Sequence, residues 1–343
     1  MQSRYRRVLV CAALLSAFGT PHTYAQSKFI DDAQRVVELP KTVTRVFAAG
    51  APAEVLLYTL TPDKLVGRNH QPPRAALEFM PPELRNPIAI AKLPRSQDAS
   101  NDTELLALKP DVYIDYGDLH QDYIDSVGNV QRRTGVPGII LDGHLEAIPA
   151  TYRRLGAALQ VKRRGDILAK SVDQLLKKYR GTLKKSGAVP RVYLACSGDA
   201  MIPCLEGEKM GEVAQFLGAV NVAGKIGDAP IKPLTMEEIE AWNPEVIIAA
   251  SADAAARILQ DVNWRSIKAI KEKRVYAAPT LPFNWGSRPP SVTRLPGLIW
   301  LAYALPGREF DTAFYSDIRS FFKLFYHVNP TDEQLKMLVQ PRS

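Results

Sequence analysis

An α/β fold of two lobes joined by one long rigid α-helix is what three features of the sequence predict. Short runs rich in β-branched and aromatic residues alternate with helical runs, the pattern of parallel sheets with helical crossovers. Residues 104–114 (ELLALKPDVYI) and 238–248 (EIEAWNPEVII) repeat at a constant offset of 134, which predicts two related halves. Between the two copies, residues 148–185 carry almost no strand signal and read as helix. A length of 343 residues suits two Rossmann-like lobes of ordinary size.

Taken in chain order, residues 45–49 (RVFAA) predict a first strand ending at Gly50, 52–60 a helix and 64–67 a short second strand. The proline-rich stretch 71–94 reads as irregular loop with one helical turn, and 112–115 and 138–141 read as strands. From 148 to 185, Tyr152, Leu155, Leu159, Ile167, Val172, Leu175, Leu176 and Tyr179 recur at helical spacing, with Lys and Arg on the other face. Gly165-Asp166 is the point where this amphipathic run is open to interruption. After Gly187 and Pro190 the alternation restarts with a strand over 191–195. Each copy of the repeat is a helix that stops before a proline, then an acid, then a strand, because the residue before proline disfavours the helical region. The expected organisation is a leader over 1–25, a first lobe over 26–150, a connecting helix region over 151–187 and a second lobe over 188–343.

The leader reading rests on Arg4, Arg6 and Arg7, followed by eleven apolar residues (8–18) and by Thr23-Tyr24-Ala25 at the cleavage positions. Eleven residues are too few to span a bilayer, and Cys11 lies inside the apolar run rather than after it, where a lipoprotein would need it. The expected compartment is therefore the periplasm, with cleavage near Ala25. The net charge of +8 falls to +5 without the three leader arginines, a balance that permits an anionic ligand. Dense basic clusters with interleaved aromatics, which nucleic-acid binding needs, are absent. Cys196 and Cys204, eight residues apart, suit two arms of a hairpin; a disulfide and a pair of buried thiols both remain open.

Several segments resemble periplasmic substrate-binding proteins of the ferric-siderophore and cobalamin ABC importer family. They are residues 262–276 (VNWRSIKAIKEKRVY), 282–297 (PFNWGSRPPSVTRLPG) with Trp300-Leu301-Ala302 after them, 65–68 (LVGR), 108–112 (LKPDV) and 217–223 (LGAVNVA). The resemblance covers nearly all of the chain beyond the leader. It implies the class III architecture of that group: two lobes, one connecting helix, a ligand in the cleft between them, a monomer, and delivery to an inner-membrane permease with its ATPase. It also implies a surface glutamate on each lobe for docking on the permease. Glu104 and Glu238 occupy the equivalent repeat positions, while the family's acid often falls one residue earlier, where this chain has Thr103 and Glu237.

In open α/β sheets ligands bind beyond the carboxyl ends of the strands, which selects the loops after each predicted strand. A ferric chelate is large, partly planar and anionic; Arg offers fixed charge and forked donors, and Trp and Tyr offer flat apolar surface. Arg68, Arg95, Tyr116, Trp285 and Arg288 are therefore the candidate ligand contacts, with Arg294, in a helical stretch, read as structural. The competing chemistry is direct capture of a metal ion by His70, His120 and His144, which follow first-lobe strands near Asp115, Asp118 and Asp142. Cobalamin and haem are further alternatives to a siderophore. No nucleophile elbow, phosphate loop or dinucleotide fingerprint is present, so the chain reads as a binding protein without a cofactor of its own and not an enzyme. Terminal sequencing of the exported protein is expected to return an N-terminus near Gln26; recovery of Met1 would refute the leader reading.

Overall fold

The computed structural model describes residues 26–67, 71–82, 102–187, 189–206, 208–224, 232–286 and 289–339. The chain opens with an antiparallel hairpin that the sequence reading did not include, β1 (Gln26–Ile30) and β2 (Val36–Pro40). Val37 and Leu39 of β2 point into the core at the two-residue period of a strand. The hairpin is tied down by Asp31, which is fully buried: its carboxylate accepts from Arg35 Nε at 2.9 Å and from the backbone N–H of Ile140 at 3.2 Å.

The first lobe is built on β3 (Val46–Ala48), α1 (Ala51–Leu60), β4 (Leu65–Gly67), α2 (Asp102–Ala107), β5 (Val112–Gly117), α3 (Gln121–Thr134) and β6 (Gly138–Asp142). The four strands are parallel in the order β4-β3-β5-β6. Their near-continuous apolar sequences follow from burial on both faces, as helical crossovers require. Next come α4 (Ile148–Ala158), α5 (Lys162–Tyr179) and α6 (Thr182–Lys185). The second lobe then holds β7 (Arg191–Leu194), α7 (Lys209–Leu217), β8 (Val220–Asn221), α8 (Met236–Trp242), β9 (Val246–Ala249), α9 (Ala252–Gln260), α10 (Lys268–Lys271) and β10 (Val275–Ala277). Its parallel order is β10-β9-β7-β8. Numbered from each lobe's own first strand, both sheets run 2-1-3-4, and the repeat places α2 and β5 opposite α8 and β9. Three helices close the chain: α11 (Arg294–Ala304), α12 (Thr312–Phe325) and α13 (Asp332–Val339). Cys196 and Cys204 are joined in a disulfide, Cα atoms 5.3 Å apart, across a small hairpin after β7 in which Cys196 N donates to Ile202 O at 2.8 Å.

The connecting region differs from one continuous helix. The chain turns at residues 159–161, where Gln160 takes a left-handed backbone (φ 56°), so α4 and α5 form a helical hairpin and α5 alone makes the connection. Gly165 does not break the run. It lies inside α5 against Gly156 of α4, where a Cβ on Gly165 would stand 3.1 Å from Gly156 Cα and collide with the carbonyl of Tyr152. With 18 residues α5 is about 27 Å long, and it packs on α1 of the first lobe and α11 of the second.

A second tie runs through the C-terminal helices. Tyr58 Oη of α1 donates to Tyr326 O at 3.0 Å, and Arg164 Nη2 of α5 donates to Thr59 O at 2.9 Å and to Leu324 O. One apolar core consequently runs without a break from Val37 in the first lobe to Val339 at the end of α13. Among the described residues no helix is long and apolar enough to cross a membrane.

Two glycine substitutions are expected to act with opposite sign in denaturant unfolding. Gly165→Ala overfills the α4–α5 contact and should lower stability by about 1–3 kcal/mol. Gly128→Ala, inside α3 with only the end of Arg132 near the new methyl, should raise it by about 0.5–1 kcal/mol.

Candidate functional site

The carboxyl ends of β3, β5 and β6 open toward the segment that follows β10 in the second lobe. Two features hold these surfaces together. Ser291 Oγ donates to Pro52 O at 2.7 Å. Arg294, at the start of α11 and fully buried, donates from Nε to Ser291 O at 3.1 Å, from Nη2 to Gly143 O beyond β6, and pairs through Nη1 with Glu212 of α7. Glu212 in turn accepts from Leu145 N at 2.8 Å. Arg294 is thus structural, in agreement with its helical position, and it joins the two lobes at the base of the cleft.

A cavity of about 440 Å³ lies over the β3–β4 side of this edge. Ala51, Val55 and Tyr58 of α1 form one wall, Pro72, Pro73 and Met80 another, and Pro282, Phe283 and Pro289 the side contributed by the second lobe. Glu54, Gln71, Thr280 and Asn284 supply its polar groups. Phe283 meets Tyr58 edge to face at 5.4 Å between ring centroids, which sets the wall where the lobes touch. A wider recess of about 650 Å³ lies beyond β5, between Pro52 and Pro290, and is bordered by residues 116–118 and 120–123.

Charged groups stand at and around that second recess as pairs. Lys209 Nζ, from the first turn of α7, sits 2.8 Å from Asp118 Oδ1 across the cleft. Burial works to raise the Asp118 carboxyl, but Lys209, with lesser help from His120 and His144, outweighs it and holds it below the usual carboxylate range. His144 Nδ1 lies 2.5 Å from Asp142 Oδ1. Asp115 is buried and accepts from Tyr123 Oη at 2.8 Å and from Tyr116 N at 2.9 Å.

One expected ligand contact is corrected by its burial. Trp285 is fully buried; its indole Nε1 donates to Leu281 O at 3.0 Å and its ring packs toward Phe322 of α12 at 6.1 Å. It belongs to the core beneath the cleft and offers no surface to a ligand. Tyr116 has 1% of its surface exposed, and burial pushes its hydroxyl pKa up to about 12 despite the nearby Arg294 guanidinium. It borders the second recess with almost all of its surface covered. Arg68, Arg95 and Arg288, and His70 of the alternative metal set, lie outside the described residues. His120 and His144 are loop residues that join no third metal-ligating side chain; among the described residues the one such cluster is Cys196, Cys204 and Glu208, whose sulfurs are bonded to each other. The aromatic wall of Tyr58 and Phe283 and the Lys209–Asp118 pair were not among the expected contacts. Phe283 and Asp118 do lie in the loops that the strand-end rule selects, whereas nothing in the sequence marks Tyr58 or Lys209.

The two docking candidates differ. Glu104 is exposed on α2. Glu238 is half-buried in a capping box: its N–H donates to Thr235 Oγ1 at 3.3 Å and its carboxylate accepts from Thr235 N at 2.8 Å, which holds it below the usual carboxylate range. Glu237 beside it is exposed.

Residues 46–281 match the periplasmic binding protein family. A molybdate-binding protein of Haemophilus influenzae is 26% identical over 268 residues, 72% of this chain and 75% of that protein. Among solved structures, an ABC transporter solute-binding protein of Sulfurospirillum deleyianum superposes with a TM-score of 0.80 at 23% identity, covering 91% of this chain and 98% of its own. The vitamin B12-binding protein of Vibrio cholerae superposes at 0.58 and 20% identity, covering 78% and 99%. These structural likenesses establish the two-lobed fold.

The Arg294 network generates a stability prediction. Glu212→Gln leaves a fully buried guanidinium without its counter-charge and is expected to cost about 3 kcal/mol in denaturant unfolding. A change below 1 kcal/mol would show that the backbone acceptors alone carry Arg294.

Proposed function

Because the chain belongs to the periplasmic binding protein family, the solute-binding components of ABC importers, we propose that its cargo is an organic metal chelate, of the ferric siderophore class, bound between the lobes. The observation that carries this reading is the cavity of about 440 Å³ with mostly apolar and aromatic walls. That size and lining suit a small organic ligand and exceed what one tetrahedral oxoanion fills. Tyr58 and Phe283 would face the chelator's flat apolar parts. Arg68, Arg95 and Arg288 would supply the positive charge an anionic chelate requires. Delivery would go to an inner-membrane permease through Glu104 on the first lobe and Glu237, the more exposed acid beside the capping box, on the second. Residues 1–25 would direct export and be removed.

A second reading is favoured by one specific observation: the relative from Haemophilus influenzae binds molybdate. An oxoanion of that kind would need a compact set of donors at one point of the cleft rather than an extended apolar wall. Thermal unfolding in the presence of ferric catecholate, hydroxamate and carboxylate chelates, cobalamin, haem, molybdate and free metal ions separates these cases. A ligand held only by the folded state at a hundred times its Kd stabilises by about 2.7 kcal/mol. A ferric chelate is expected to raise the midpoint, and Phe283→Ala and Arg288→Ala to weaken its binding roughly tenfold or more. A response to molybdate alone would transfer the assignment to an oxoanion. A response to a free cation alone, lost in His144→Ala, would transfer it to direct metal capture.

A further inference from the structure

The charge of the chain is concentrated in one place. Residues 151–187 contain eleven Lys and Arg against two acids, a net +9; residues 26–150 come to −4 and residues 188–343 to zero. The whole positive excess of the folded protein therefore lies on the helices that connect the lobes. Part of it is neutralised locally: Arg153 pairs with Asp173, Arg154 with Asp32, Lys162 with Asp166, Lys178 with Asp317 and Arg180 with Glu146. Arg163, Lys170 and Lys177 have no such partner among the described residues. They stand seven residues apart along α5, and with Ile167 and Gln174 between them they form one exposed stripe at the four-three spacing of a single helix face. Over those 14 positions the stripe is about 21 Å long. Ile167 is 44% exposed within it. At its C-terminal end the stripe meets a recess of about 570 Å³ where Lys177 and Lys185 stand beside the Arg153–Asp173 and Arg180–Glu146 pairs.

We propose that this face of the connecting helix docks on a membrane surface of anionic phospholipid headgroups. Two of its three free charges are lysines, compact point charges with no fork for one fixed carboxylate or phosphate, and they are spread over a length greater than a small ligand spans. The stripe carries no aromatic anchor of the kind that dominates protein interfaces, and its single exposed aliphatic residue, Ile167, is placed to enter the headgroup boundary. Attraction of this kind is reversible, strengthens about fivefold for each Lys or Arg near the surface, and decays within a Debye length. The binding component of an importer works beside a membrane, so such a surface would keep it near its permease whatever ligand fills the cleft.

The test is co-sedimentation of the folded protein, without its leader, with vesicles. The wild-type protein should bind vesicles containing phosphatidylglycerol and not pure phosphatidylcholine, and 0.5 M salt should release it. The triple variant R163Q/K170Q/K177Q should bind roughly a hundredfold more weakly, with an unchanged melting temperature because all three side chains are exposed and unpaired. No preference of the wild type for anionic vesicles, or full retention of binding in the triple variant, overturns the proposal. So would charge-dependent self-association or binding to a soluble acidic polymer without any vesicle binding, since the occupant would then be a second copy or an acidic macromolecule. The readout is independent of the cleft ligand, so failure here and failure of the chelate reading are separate results.

Discussion

The guanidinium of Arg294 is fully buried, and a charge in that position is tolerable only when acceptors surround it. Its acceptors come from three places in the chain: Ser291 one turn before it, Gly143 beyond β6 of the first lobe, and Glu212 in α7 of the second. Satisfying one side chain therefore requires both lobes to be in place at once. Glu212 extends the same constraint to Leu145, at the start of the segment that becomes the connecting hairpin. Moving the lobes apart would strip the guanidinium of its partners, and this penalty works together with α5 and the continuous apolar core to hold the cleft in one shape.

The cleft inherits its chemistry from that fixed geometry. The C-terminal edge of the first sheet supplies small residues and loop ends, and the segment after β10 closes over them with Pro282, Phe283 and Pro289. On one side lies the apolar cavity, and on the other the wider recess that Asp118 borders while paired with Lys209.

Much of the architecture was legible because burial on two faces leaves a strong mark. Residues 112–115, 138–141 and 191–195 are strands within a residue or two of where their apolar runs place them, and the repeat correctly pairs the helix-strand units around Glu104 and Glu238. The hairpin of β1 and β2 escaped notice because its alternation is short and its anchor is Asp31, a residue whose burial depends on Arg35 and on a strand more than a hundred residues later. The helix hairpin was read as a single helix because Gln160 carries no turn signal of its own; the reversal is enforced by close packing of Gly156 on Gly165.

The candidate site was less legible, for a reason visible in Trp285. An aromatic residue just after a strand has the same local sequence whether it faces the cleft or the core. What turns Trp285 inward is Phe322 of α12, and what leaves Phe283 at the cavity is Tyr58 of α1, both distant in sequence. Period, repeat and composition are local or additive properties, and they determined the α/β class, the two halves and the basic connector. Which side of a loop meets a ligand, and which of two neighbouring aromatics turns into the core, depend on contacts between distant segments. Only the tertiary structure decided those.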